Sequence, residues 1–133
     1  MTRLTTTGAA LATSLVATLG LAGDVRAAGQ TVAVEARGVA VEFFRSQNER
    51  RYDDTCRVLS RGFIESHALR DRRTCAAVLR IVSVWNGQIA FRIGKATIEG
   101  SRVVVRAVAD GAPGRIVLVR EGGLLRILEL DGD

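Results

Sequence analysis

Cys56 and Cys75 are the only cysteines of this 133-residue chain, His67 its only histidine and Tyr52 its only tyrosine. All four fall within residues 43–81, among a crowd of arginines. Two cysteines allow one intramolecular pairing. In an oxidising compartment that pairing is a disulfide, worth about 3 kcal/mol for a loop of this size. The spacing excludes a redox C-x-x-C pair. Two cysteines and one distant histidine also fall short of the four ligands of a structural zinc site, so no metal or cofactor is expected. His67 sits in the charged segment SHALRDRR and reads as a solvated loop residue.

The arginines are the other chemical feature. Lys95 is the only lysine, and the formal charge is +5. A GC-rich genome produces such a bias without selection. Guanidinium groups are equally the choice for gripping phosphate or carboxylate. The arginines at 45, 50, 51, 57, 61, 70, 72, 73 and 80 number nine, against Glu49, Asp53, Asp54, Glu65 and Asp71. Arg50, Arg51, Arg70, Arg72 and Arg73 are the candidate anion-binding residues among them, and the plainer alternative is a solvated, partly paired face. Their partner would be an anionic envelope polymer, a lipid headgroup or a protein. Nucleic acid is not expected, because no recognised binding motif is present. Phe43, Phe63, Trp85 and Phe91 are the candidate lining of an apolar pocket; the plainer alternative is that they fill the core.

The compartment is read from the N-terminus. Met1-Thr2-Arg3 is a short basic start, residues 9–22 are apolar and uncharged, and Val25-Arg26-Ala27 ends in the small-residue pattern of a cleavage site. Residues 1–27 are therefore expected to be a secretory leader, and 28–133 a single exported domain. The apolar run is shorter than the roughly 20 residues of a spanning helix, so no membrane anchor is expected after cleavage.

In the exported part, Val32, Ala36, Val39, Ala40 and Phe43 recur at helical spacing and predict a helix over residues 31–47. A second, over 54–60, is expected to start at a cap from Asp53 or Asp54. Gly62 then ends it in a left-handed position, and Phe63-Ile64 form a short extended piece. Asp71 or Thr74 opens a third helix reaching about Val84, which Trp85 and Asn86-Gly87 close. Beyond Gly87 the period changes to two. Strands are predicted from Ile89 through Ile98 with a bulge at Gly94, over 102–109, over 115–120 and over 124–130, with turns at Glu99-Gly100-Ser101, residues 110–114 and Glu121-Gly122-Gly123. The expected class is α+β: N-terminal helices on a curved four-stranded antiparallel meander.

This order resembles the nuclear transport factor 2-like superfamily, the cone-shaped fold shared with ketosteroid isomerases and polyketide cyclases. It is most similar to the small exported actinobacterial two-cysteine type. The segments that carry the likeness are VEFFRSQNERRYDDTCRVLS, TCAAVLRI and LVREGGLLRILEL, spanning about residues 32–130. One departure is Leu125, where the family usually has Trp. The resemblance implies an enzyme only if a buried carboxylate or histidine lines the cone. The expected inward residues Ile89, Phe91, Ile93, Val103, Val105, Ala107, Ile116, Leu118, Leu125 and Ile127 offer nothing that ionises. Tyr52-Asp53 is the only Tyr-Asp step, and Asp53 is more economically a helix cap. The expectation is thus a non-enzymatic binding domain stapled by Cys56–Cys75. The alternative is a cone that binds, or weakly transforms, a small apolar ligand. Superfamily members often pair through the sheet, so a homodimer is a further expectation.

Overall fold

The computed structural model describes residues 7–83 and 87–132. The chain divides into two compact units, Met1–Val32 and Ala33–Asp133. Over its described residues the first unit is helix, the N-terminal part of α1 (Thr7–Asn48). The helix therefore starts well before the expected Thr31. No proline interrupts residues 9–31, Ala and Leu are good helix formers, and isolated glycines cost only about 1 kcal/mol each. No helix among the described residues is long and apolar enough to cross a membrane. The basic start of the leader lies outside the described residues, as do Trp85 and Asn86.

The second unit is α+β. After α1 come α2 (Tyr52–Arg57), α3 (Arg61–Ser66) and α4 (Arg72–Ser83), then β1 (Phe91–Glu99), β2 (Arg102–Ala109), β3 (Ala112–Glu121) and β4 (Leu124–Gly132). The four strands form one antiparallel sheet in chain order, the expected meander. The alternation of the sequence becomes the alternation of the sheet. Val103, Val105, Ala107, Ile116, Leu118, Leu125 and Ile127 are buried on one face, where the register sets Val105 against Ile116 and Leu118 against Ile127. Ala36, Ala40, Phe43 and Phe44 of α1 are buried too, and Phe44 stacks on Phe91 with ring centroids 5.1 Å apart. The expected bulge is present: the β1–β2 register shifts between Ile93 and Ala96.

The turns are tighter than the sequence suggests. Asp110 and Gly111 both have positive φ, so the chain reverses in two residues and Ala112 to Gly114 already belong to β3. Among the described residues the β3–β4 pairing reaches only Gly114, so Pro113 lies beyond it, where the N–H that proline lacks is not needed for that ladder.

The helical segment departs most from expectation. Asp53 and Asp54 do not cap α2; Arg51 holds the cap position without a side-chain bond, and both acids lie in the first turn. α2 also ends at Arg57, before the expected Ser60. Val58 keeps a helical backbone as the C-cap, and beyond it Leu59 and Ser60 run along the outer edge of β4: Ile127 N–H donates to the Val58 carbonyl at 2.7 Å, and Ser60 N–H to the Ile127 carbonyl at 2.8 Å. An exposed strand edge is a liability, and satisfying it outweighs another half-turn of helix. Ser60 then caps α3, its Oγ accepting from Phe63 N–H at 3.0 Å. Phe63-Ile64 is thus helical rather than extended. Gly62 does not end a helix; its Cα faces Leu128, so that an added Cβ would sit 3.1 Å from Leu128 Cδ1.

Candidate functional site

Cys56 on α2 and Cys75 on α4 form a disulfide, both buried. It fixes the start of α4 against α2 and so determines where Arg72 lies. Arg72 Nη1 donates to the Cys56 carbonyl at 2.7 Å and Nη2 to the Leu59 carbonyl at 3.1 Å. These are carbonyls at the end of α2 and in the edge segment, and a guanidinium is the side chain able to reach both at once. Arg72 Nη2 also meets Glu121 Oε1 at 3.3 Å. Glu121, at the end of β3, further accepts the Arg61 backbone N–H at 2.9 Å, which anchors the first turn of α3 to the hairpin.

These elements border an open cavity of about 370 Å³ lined by Arg61, Ile64, Glu65, Arg70, Asp71, Arg72, Glu121 and Arg126. Four guanidinium groups face three carboxylates there. Arg126 reaches the wall from β4; Nη1 lies 3.7 Å from Glu121 Oε1, while Nε is buried without a hydrogen-bond partner. An unmet buried donor costs about 1–3 kcal/mol, and such groups are rare enough to need an explanation. No hydrogen bond or ion pair engages the guanidinium groups of Arg61 and Arg70 among the described residues. Arg70 has φ 65° and Ala68 φ 54°, a left-handed conformation that costs a residue with a Cβ about 1–2 kcal/mol. Leu69 between them is buried, and its N–H bonds the Ile64 carbonyl at 3.0 Å. The strained loop therefore has its middle residue in the core and Arg70 on the cavity wall.

Burial, and then the charges of Arg126 and Arg61, push the Arg72 pKa down, with Glu121 acting the other way. Asp71 is set by α4: its Oδ1 accepts Thr74 N–H at 2.9 Å, and that bond is the main reason its pKa lies below the usual carboxylate range.

The sequence candidates divide among three places. Arg70 and Arg72 line this cavity, together with Arg61 of the same arginine cluster and with Arg126. Arg126 reads in the sequence as a solvated outer-face residue; nothing local marks it, because its cavity is assembled from α3, α4 and a hairpin far along the chain. Arg51 is occupied by Glu42, Glu49 and Asp54, which raise its pKa, Glu42 most. Arg50 lines a separate cavity of about 210 Å³ with Gln47, Asn48, Tyr52 and Gln88. Arg73 is exposed on the first turn of α4. Among the aromatic candidates, Phe43 lines an apolar cleft of about 240 Å³ with Phe44, Ala107, Pro113 and Leu130, and Phe91 reaches that cluster through Phe44. Phe63 lies elsewhere, stacked on His67 at 3.9 Å, and His67 Nδ1 is within 3.0 Å of the Phe63 carbonyl. Trp85 is outside the described residues. Arg120, in register with Leu125, forms a bidentate pair with Glu35 of α1 at 3.1 Å for each oxygen, an ionic contact no local pattern announces.

The fold defines a class, an α+β domain of helices followed by a four-stranded antiparallel meander. No family model matches the chain, and no curated protein matches it. Among solved structures it is similar to Bdellovibrio bacteriovorus Bd1075, with a TM-score of 0.48 and 8% identity over 71% of this chain. The match spans 38% of that protein's length.

Proposed function

We propose that this is an exported, non-enzymatic binding domain of the nuclear transport factor 2-like type, and that it works by holding an anionic group in the arginine-lined cavity. The observation that carries the reading is the buried, unpartnered Nε of Arg126 beside Arg61, Arg70 and Arg72. The Cys56–Cys75 disulfide is compatible with an extracellular location. The helices-then-meander order and the two-cysteine spacing support the superfamily assignment. The apolar buried residues of the inner sheet face support binding over catalysis.

The test is thermal stability of the disulfide-bonded protein in acetate, phosphate and chloride at matched ionic strength. A saturable rise above chloride, lost in R126M, supports the reading; equal melting in all three sinks it. Export is tested by intact mass of protein from the culture fluid, which should begin at Ala28 with no free thiol.

The apolar cleft at Phe43, Phe44 and Leu130 favours one second reading, a site for a small apolar ligand. It predicts a rise in melting temperature with apolar small molecules that F43A abolishes and R126M leaves intact.

A further inference from the structure

The cavity can be assigned a ligand class from its donors, an inference that rests on the anion-binding reading above. Arg72, the guanidinium fixed by backbone, has three of its five N–H hydrogens committed, to the Cys56 and Leu59 carbonyls and to Glu121. Arg126 engages Glu121 through Nη1, at one end of its guanidinium. The opposite edge, Nε with Nη2, carries no protein partner among the described residues. Its two N–H bonds point the same way, a planar fork that fits the two oxygens of one carboxylate. A phosphate or sulfate can present two of its oxygens to the same fork, so the edge by itself selects an oxyanion.

Charge narrows the class further. The lining holds four guanidinium groups against three carboxylates, so one negative charge balances it and two overshoot. A carboxylate carries one charge at neutral pH, whereas a phosphate monoester carries about 1.5 to 2. Arg61 and Arg70, without ion-pair partners, are placed to attract the anion and flank it. With Ile64 as an apolar wall, about 370 Å³ holds a small organic acid or the last residues of a peptide. We propose that the cavity is a receptor for one carboxylate, gripped edge-on by Arg126, from either a small organic acid or a peptide C-terminus.

The experiment follows the Arg126 Nε–H signal by NMR in the full disulfide-bonded protein, assigned by its loss in R126K. Propionate, acetyl-Gly-Ala with a free C-terminus, the same dipeptide amidated, dimethyl phosphate and sulfate are titrated at constant ionic strength. The expected result is a saturable shift of this signal with propionate or the free-acid dipeptide, at least ten-fold tighter than with the amide, dimethyl phosphate or sulfate. R126K, which keeps the charge but loses the fork, should weaken carboxylate binding at least ten-fold, read for both proteins from the concentration dependence of the melting temperature. Preference between propionate and the dipeptide separates the two sources. Dimethyl phosphate or sulfate binding as tightly as the carboxylates overturns the carboxylate assignment while leaving an anion site. No response to any anion, as expected if an ordered water satisfies Nε, overturns both. If R126K fails to fold, the wild-type titrations decide alone.

Discussion

Glu121 and Arg126 share an incomplete pair: Oε1 lies 3.7 Å from Nη1, while the same carboxylate oxygen is 3.3 Å from Arg72 Nη2. One carboxylate thus serves two guanidinium groups and fully satisfies neither. E121Q keeps an acceptor for the Arg61 N–H but removes the charge. The expected loss is about 1 kcal/mol, since the pair is partly exposed. Stabilisation by added propionate should then exceed that of the wild type, because the cavity gains net positive charge. Urea unfolding with and without propionate measures both. An unchanged or smaller propionate effect would show that Glu121 and the ligand do not share a field.

The disulfide should carry a large share of stability. Cys56 and Cys75 are buried and join two helices of 6 and 12 residues, short enough to be marginal alone. C56S/C75S is expected to lose about 2–4 kcal/mol. It should also lose anion binding before global unfolding, because Arg72 is held through the Cys56 carbonyl. Equal urea midpoints for the reduced and oxidised wild-type protein would refute the first expectation.

Much of the sheet is legible in the sequence, because a period of two and glycine turns are local signals. Gly122 and Gly123 both adopt positive φ at the expected hairpin, and Gly94 lies within the expected bulge. The α2–α3 segment is not legible, because its conformation is set from outside. The chain leaves the helix after Val58, so that the Val58 carbonyl and the Ser60 N–H bond Ile127, and Ser60 is thereby freed to cap a helix that residues 61–66 would not form unaided. The arginine cavity inherits that difficulty. Arg70 and Arg72 are visible as a local cluster, but Arg126 joins them only through the β4 edge, and Glu121 only through the hairpin.

Asp71 offers a pH test with a defined sign. The Thr74 N–H bond holds its folded pKa below the unfolded value of about 3.9. Its contribution to stability is therefore present above about pH 4 and lost as pH falls through the folded pKa. D71A should melt lower than the wild type at neutral pH, and the gap should shrink as the pH is lowered past 4. A gap of constant size from pH 7 to pH 2 would show that the carboxylate charge contributes nothing at the start of α4.

Ser46 and Thr55 tie α1 to α2 through hydroxyls 2.6 Å apart, both wholly buried. Each has a weaker second contact: Ser46 Oγ to the Phe43 carbonyl at 3.2 Å and Thr55 Oγ1 to the Arg51 carbonyl at 3.4 Å. S46A leaves the Thr55 hydroxyl with only that long contact, at a cost of about 1–3 kcal/mol. T55V leaves Ser46 with the better remaining contact and should cost about 1 kcal/mol. In S46A/T55V no hydroxyl is stranded, so the double variant should lose less than the two single losses added, by on the order of 1 kcal/mol. Additive losses in urea unfolding would mean that the two hydroxyls do not stabilise each other. The pair also bears on the cavity, since Thr55 adjoins Cys56, whose carbonyl receives Arg72. Loosening α2 should therefore weaken propionate binding in S46A more than in S46A/T55V, whereas equal binding in both would confine the hydroxyl pair to stability.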